Sequence, residues 1–159
     1  MISLRIILAK LCRRNEISSY LQKYKNETIH KSKIINKALD FILENFTQIE
    51  TCTDIADYLG VSSTHLSREF KSHLSIAPKK LLLTIKLAYS IQMMKSPGLK
   101  LFEISDLAGL GNLKRLNELC HKIFSTSPSN IRKSACNPKA IHFIELQLKH
   151  YLNCSKRVE

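Results

Sequence analysis

Glycine, proline and tryptophan are scarce in this chain of 159 residues. It has four glycines, four prolines and no tryptophan, and aromatic residues make up only 7% of it. Its apolar residues recur mostly at helical rather than alternating spacing, so the sequence predicts an all-α fold. The length allows one compact domain or two very small ones with extra helices.

Acidic residues are also few. The chain has 13 Asp and Glu against 25 Lys and Arg, a formal net charge of +12. Residues 1–33 alone carry eight basic and two acidic side chains, which is half of that excess. This charge favours a polyanionic partner, with nucleic acid first and an anionic membrane surface second.

Signals for export and for disulfides are missing. The five cysteines are an odd number and form no C-x-x-C pair, which favours a reducing cytosol. The apolar run at the N-terminus, MISLRIILAKLCRRN, is broken by Arg5 and Lys10, and it is too short and too charged for a signal peptide or a membrane span. We therefore expect a cytoplasmic protein that does not bind membranes.

Catalytic motifs are absent as well. The sequence has no G-x-S-x-G, no Walker loop, no H-E-x-x-H and no paired carboxylates in an apolar setting, so we expect neither an enzyme nor a cofactor. His150 and Cys154 have the i, i+4 spacing of metal ligands, with Cys136 and His142 upstream. No close cysteine pair accompanies them, so zinc is the minor alternative and packing or assembly the main one.

The segment from Thr51 to Lys71, TCTDIADYLGVSSTHLSREFK, predicts two short helices joined by a tight turn at Gly60. Leu66, Phe70 and Leu74 recur at i, i+4 and i+8 and should face a core, which leaves polar and basic residues on the other side. This pattern is typical of a helix-turn-helix whose second helix recognises DNA.

A second copy of this pattern runs from Ile104 to Phe124. Gly60 matches Gly109 at an offset of 49, and one extra residue in the turn moves the offset to 50 for Leu66 with Leu116 and for Pro78 with Pro128. Two copies at a fixed separation indicate a duplicated unit.

Between the copies, Ala77-Pro78 opens a helix that should run to about Lys95, roughly 25 Å at about 1.5 Å per residue. Such a helix can set two recognition helices about 34 Å apart, one turn of B-DNA.

We expect a first lobe at 34–76, braced by a helix at 31–46, a linker helix at 77–96 and a second lobe at 99–134. Residues 1–33 predict a basic N-terminal helix and linker, and residues 135–159 a C-terminal helical extension.

The segment at 34–134 resembles the AraC/XylS-type bacterial transcription regulators. The resemblance rests on ADYLGVSSTHLSREFK, on Pro78 after HLSIA, on the SDLAGLGN turn and on IFSTSPSNIRK. It implies a two-lobed helical DNA-binding domain that recruits or blocks RNA polymerase. Many members carry an effector domain ahead of this unit, which 33 residues are too few to form, so we expect a stand-alone or shortened member.

In the first recognition helix, Arg68 is the candidate for a base contact, because a guanidinium can pair bidentately with guanine. Lys71 is the candidate for phosphate, and Ser62 and Ser63 can donate to phosphate at the helix N-terminus. Thr64 and Ser67 share this face. The alternative for Arg68 is a solvated residue paired with an acid, and His65 is as suited to packing as to a base contact.

In the second recognition helix the shared face carries Lys114, Asn117, Glu118 and His121, with Arg115 and Lys122 on its flanks. Asn117 could contact adenine and Glu118 cytosine. Alternatively, Glu118 pairs with lysines at i±4 and this helix contacts mainly the DNA backbone. Further phosphate candidates near helix N-termini are Lys79, Lys80, Arg132 and Lys133.

The leading hypothesis is a sequence-specific regulator of transcription that binds double-stranded DNA and has RNA polymerase as its protein partner. The second copy departs from the family pattern at Lys100, Leu110-Gly111, Glu118 and Cys120. The alternative is therefore a degenerate member that acts as an interaction module on another regulator or on RNA polymerase, with self-association or partner binding through its terminal helices.

Overall fold

The computed structural model describes residues 32–96 and 98–134, and this part of the chain is helical without strands. The predicted all-α class is confirmed. Its helices are α1 (Lys33–Asn45), α2 (Cys52–Leu59), α3 (Ser63–Leu74), α4 (Pro78–Met93), α5 (Leu101–Leu107), α6 (Leu113–Phe124) and α7 (Pro128–Ser134).

Helices α1 to α3 form a first lobe, α5 to α7 a second, and α4 lies between them. The buried apolar residues of both lobes and of α4 join in one hydrophobic cluster. Residues 84–88 of α4 are all buried, so this helix packs on every side there. Its 16 residues make it about 24 Å long.

The two copies also have the same backbone conformation at the ends of their helices. Gly60 and Gly109 end the first helix of each corner in the left-handed region, at φ 65° and 70°. Ser75 and Ser125 end α3 and α6 with φ 54° and 55°. The extra residue of the second turn is accommodated at Gly111, whose φ of 84° favours glycine.

The start of α2 is stabilised by Asp54, an acidic residue in its first turn. The Asp54 carboxylate accepts hydrogen bonds from the backbone N–H of Glu50 (2.8 Å) and of Thr51 (3.0 Å). In the second lobe, Glu103 accepts from the Lys100 N–H at 2.6 Å. The Lys100 ammonium can only donate, so it cannot accept from a backbone N–H of the first turn as a capping side chain does. Both starts therefore depend on an acid in the first turn.

Replacing Asp54 with alanine should lower the free energy of unfolding by about 1 kcal/mol at pH 7. The hydrogen bonds from Thr51 and then Glu50 lower the pKa of Asp54 below its usual 3.8. Its stabilisation is therefore complete above the unfolded pKa and is lost as the pH falls through the lower folded pKa. Urea unfolding at pH 7, at pH 5 and below pH 3.8 measures this.

Asp57→Ala, at an exposed position of the same helix, makes the same substitution and serves as the control. The difference between the two variants should shrink in acid. A difference that is independent of pH would contradict the role given to the Asp54 carboxylate.

Several predictions concern residues outside the described part of the chain. These are the basic N-terminal helix, the C-terminal extension and the alternative zinc site at Cys136, His142, His150 and Cys154. Within residues 32–96 and 98–134, no group of His, Cys, Asp and Glu could hold a metal ion. None of the described helices is long and apolar enough to span a membrane.

Candidate nucleic-acid interface

Helix α3 has a core side and an exposed side, as its spacing predicts. Leu66 and Phe70 are completely buried. All six side chains predicted to face DNA are exposed: Ser62, Ser63, Thr64, Ser67, Arg68 and Lys71. Ser62 caps the helix by accepting from the His65 N–H at 3.1 Å, and its own hydroxyl hydrogen remains able to donate to an anion.

Within residues 32–96 and 98–134, the side chain that Arg68 contacts is a histidine. Its Nη2 lies 3.1 Å from His65 Nδ1, one turn earlier on α3. A guanidinium can only donate, so Nδ1 is the acceptor and must be unprotonated. His65 therefore orients Arg68, a role that the sequence analysis did not assign to it.

Helix α6 has the same two sides. Leu116 and Cys120 are fully buried, while Lys114, Arg115, Glu118, His121 and Lys122 are exposed. Asn117 is half-buried. The side chain of Asn112 accepts from the Arg115 N–H at 2.9 Å, so asparagine caps α6 where serine caps α3.

The four residues predicted to contact phosphate differ in their surroundings. Lys79 and Lys133 are exposed and Lys80 is half-buried. Arg132 Nη2 donates to the Leu99 carbonyl at 2.7 Å, and its Nε is buried. Arg132 thus fastens α7 to the segment before α5, and this task competes with a phosphate contact.

A cleft between the lobes brings together one predicted DNA-contacting residue of the linker helix and one of the second lobe. Its volume is about 340 Å³, and Lys79 at the start of α4 and Arg115 on α6 both line it. Thr51 and Cys52, at the start of α2, and Lys86 of α4 also line it. Three cations against one acid, Glu50, make this opening attractive to an anion.

Lys86 is the feature that the sequence analysis missed. It is only 4% exposed, and its ammonium donates to the carbonyls of Ile49 at 2.7 Å and Gly109 at 2.5 Å. Burial, and then the charge of Arg115, lower the pKa of Lys86. The available signal was a lone lysine within the apolar run LLLTIKLAYSI of the linker helix.

The two described cysteines offer little reactivity. Burial raises the pKa of the Cys120 thiol to about 12, so the thiol stays protonated at neutral pH. Burial also raises the pKa of Cys52, and the charge of Lys79 only partly offsets this. Cys120 acts as a small apolar core residue.

These helices define the class of the molecule: a duplicated helix-turn-helix, each copy with an exposed polar and basic second helix. A family model described as a helix-turn-helix domain matches residues 55–134, half of the chain. The chain belongs to the AraC-type family of transcription regulators, whose domain of this kind binds DNA. The predicted family is thus confirmed.

Known structures and sequences agree with this membership. An AraC-type transcriptional regulator from Chromobacterium violaceum has the same fold, with a TM-score of 0.58 and 24% identity over 66% of this chain and 94% of that one. The raffinose operon regulatory protein RafR of Pediococcus pentosaceus is 26% identical over 109 residues, 69% of this chain. The lactose operon transcription activator of Staphylococcus xylosus is 28% identical over 98 residues, 62% of this chain.

The matches cover only part of each curated relative. The aligned region is 39% of RafR and 35% of the lactose operon activator. The chain therefore spans less than two fifths of the length of these two proteins.

Proposed function

We propose that the protein regulates transcription by binding double-stranded DNA sequence-specifically, with α3 and α6 in successive major grooves. The observation that carries this proposal is the equivalence of the two helices. Each has 12 residues, each buries the matching side in the common core, and each exposes basic side chains on the other. A helix with these properties fits the major groove and its flanking phosphates.

The two helices differ in how they can contact bases. Arg68 on α3 is exposed and oriented by His65, and it suits guanine O6 and N7. On α6, Asn117 and Glu118 are the base candidates, suited to adenine and cytosine. We assign phosphate contacts to Lys71, Lys114 and Arg115, which are exposed cations on these two helices, and to Lys79, which lines the cleft.

Replacing Arg68 with alanine should remove about 1–3 kcal/mol of discrimination at one base pair. Lys71→Ala is the matched control, since it should weaken binding about equally on all duplexes and reduce the salt slope by about 1. Fluorescence anisotropy with a selected duplex and a scrambled one, at several salt concentrations, measures both effects. If Arg68→Ala keeps the wild-type ratio of specific to nonspecific affinity, Arg68 does not contact a base.

A second candidate function is supported by the exposed Glu118 on the DNA-facing side of α6, where an acid repels phosphate. In that case the protein is an interaction module that binds another regulator or RNA polymerase. Selection from a random duplex library that enriches no motif, together with a stable complex with purified polymerase, would favour this alternative.

A further inference from the structure

Lys86 contacts both lobes at once. One hydrogen bond of its ammonium goes to Ile49, in the loop between α1 and α2 of the first lobe, and the other goes to Gly109, in the corner of the second. Among the described residues, Lys86 is the only buried one that carries a charge. An apolar residue would be easier to bury, so the lysine is explained by the two carbonyls that it satisfies.

A second contact joins the same two segments. Gly109 lies so close to the first lobe that a Cβ there would be 2.0 Å from the Thr47 carbonyl oxygen. The ring of Phe46, at the start of the same loop, packs edge-to-face on Tyr89 of α4, with 5.2 Å between centroids. The loop at 46–50 is thus held by the linker helix and by the second lobe together.

We propose that Lys86 is a positioning residue that fixes the two lobes relative to each other before DNA binds, and so sets the spacing of the two base-contacting blocks. The proposal rests on the proposed function, in which both α3 and α6 enter the major groove. Rigid lobes lose little freedom on binding, which favours one spacing over all others.

Inserting one base pair between the blocks shifts one block by about 3.4 Å and rotates it by about a tenth of a turn. A fixed pair of helices cannot follow that change.

The first test needs no DNA. In the full chain, ¹⁵N relaxation should give one rotational correlation time for the amides of α1 to α3 and α5 to α7. Lys86→Met keeps the length of the side chain and removes its donors, and it should give separate, shorter times for the two lobes. Lys86→Arg keeps donors and should restore a common time.

The second test uses the selected duplex and the same duplex with one base pair inserted between its blocks. Insertion should cost the wild type at least about tenfold in affinity. Lys86→Met should bind the original duplex about tenfold more weakly and should discriminate the two by less than about threefold. A merely structural role would weaken binding to both duplexes and leave their ratio unchanged.

The outcomes separate this proposal from the proposed function. If selection yields one block only, binding through both helices fails, while relaxation still decides whether Lys86 fixes the lobes. If Lys86→Met folds and keeps both the common correlation time and the wild-type ratio, the proposal is overturned. If that variant does not fold, the wild type decides, because two correlation times or equal binding to both duplexes would overturn it.

Discussion

Replacing Phe70 with alanine is expected to lower the free energy of unfolding by about 3–5 kcal/mol. The ring is completely buried in the cluster that joins both lobes. Removing it leaves a cavity where α3 packs against α1 and α2, and a domain of this size has only about 5–15 kcal/mol to lose. Urea unfolding followed by circular dichroism measures the change.

The duplication supplies a control for this substitution. Cys120 holds the equivalent position in the second lobe, 50 residues later, and is also completely buried. Cys120→Ala removes a single heavy atom and should cost only about 1 kcal/mol. If the two positions are equivalent in the core, the loss of stability should follow the volume of the side chain that is removed. Equal losses in the two variants would therefore contradict the duplicated architecture.

Replacing Gly109 with alanine should be nearly as damaging, for two reasons that add. The residue has φ 70°, where an L-residue costs roughly 1–2 kcal/mol, and its new Cβ would collide with the Thr47 carbonyl. Because the colliding atom belongs to the backbone, relief requires the lobes to move apart. We expect a total loss of about 3 kcal/mol or more in urea unfolding.

Gly60→Ala separates these two reasons. Gly60 has nearly the same conformation, φ 65°, but nothing lies within 4 Å of the position that a Cβ would take. This variant should therefore show only the backbone cost. If the two alanine variants lost the same free energy of unfolding, the collision with the Thr47 carbonyl would add nothing to the cost of Gly109→Ala, and the close approach of the two lobes at Gly109 would be contradicted.

The sequence predicted the helices and their outward faces because both follow from local periodicity. Leu66 and Phe70 in one copy, and Leu116 and Cys120 in the other, lie at spacings that bring them to one side of a helix, and all four are buried. The shift in offset from 49 to 50 located the altered turn, where Gly111 now has a positive φ. Which of the exposed residues contact DNA stays a prediction.

The contacts between distant segments could not be predicted in this way. Lys86 reaches carbonyls 37 and 23 residues away, and Arg132 reaches Leu99 across 33 residues. Backbone carbonyls leave no pattern in the sequence, so nothing there pairs them with a particular side chain. Lysines normally lie on the surface, so the residue type predicted an exposed side chain at Lys86 rather than a buried one.

Selection of bound duplexes from a random library, followed by sequencing, tests the central claim most directly. If α3 and α6 occupy successive major grooves, the selected sequences should contain two enriched blocks whose centres lie about 10–10.5 base pairs apart. One block alone, or no enrichment at all, would contradict binding through both helices.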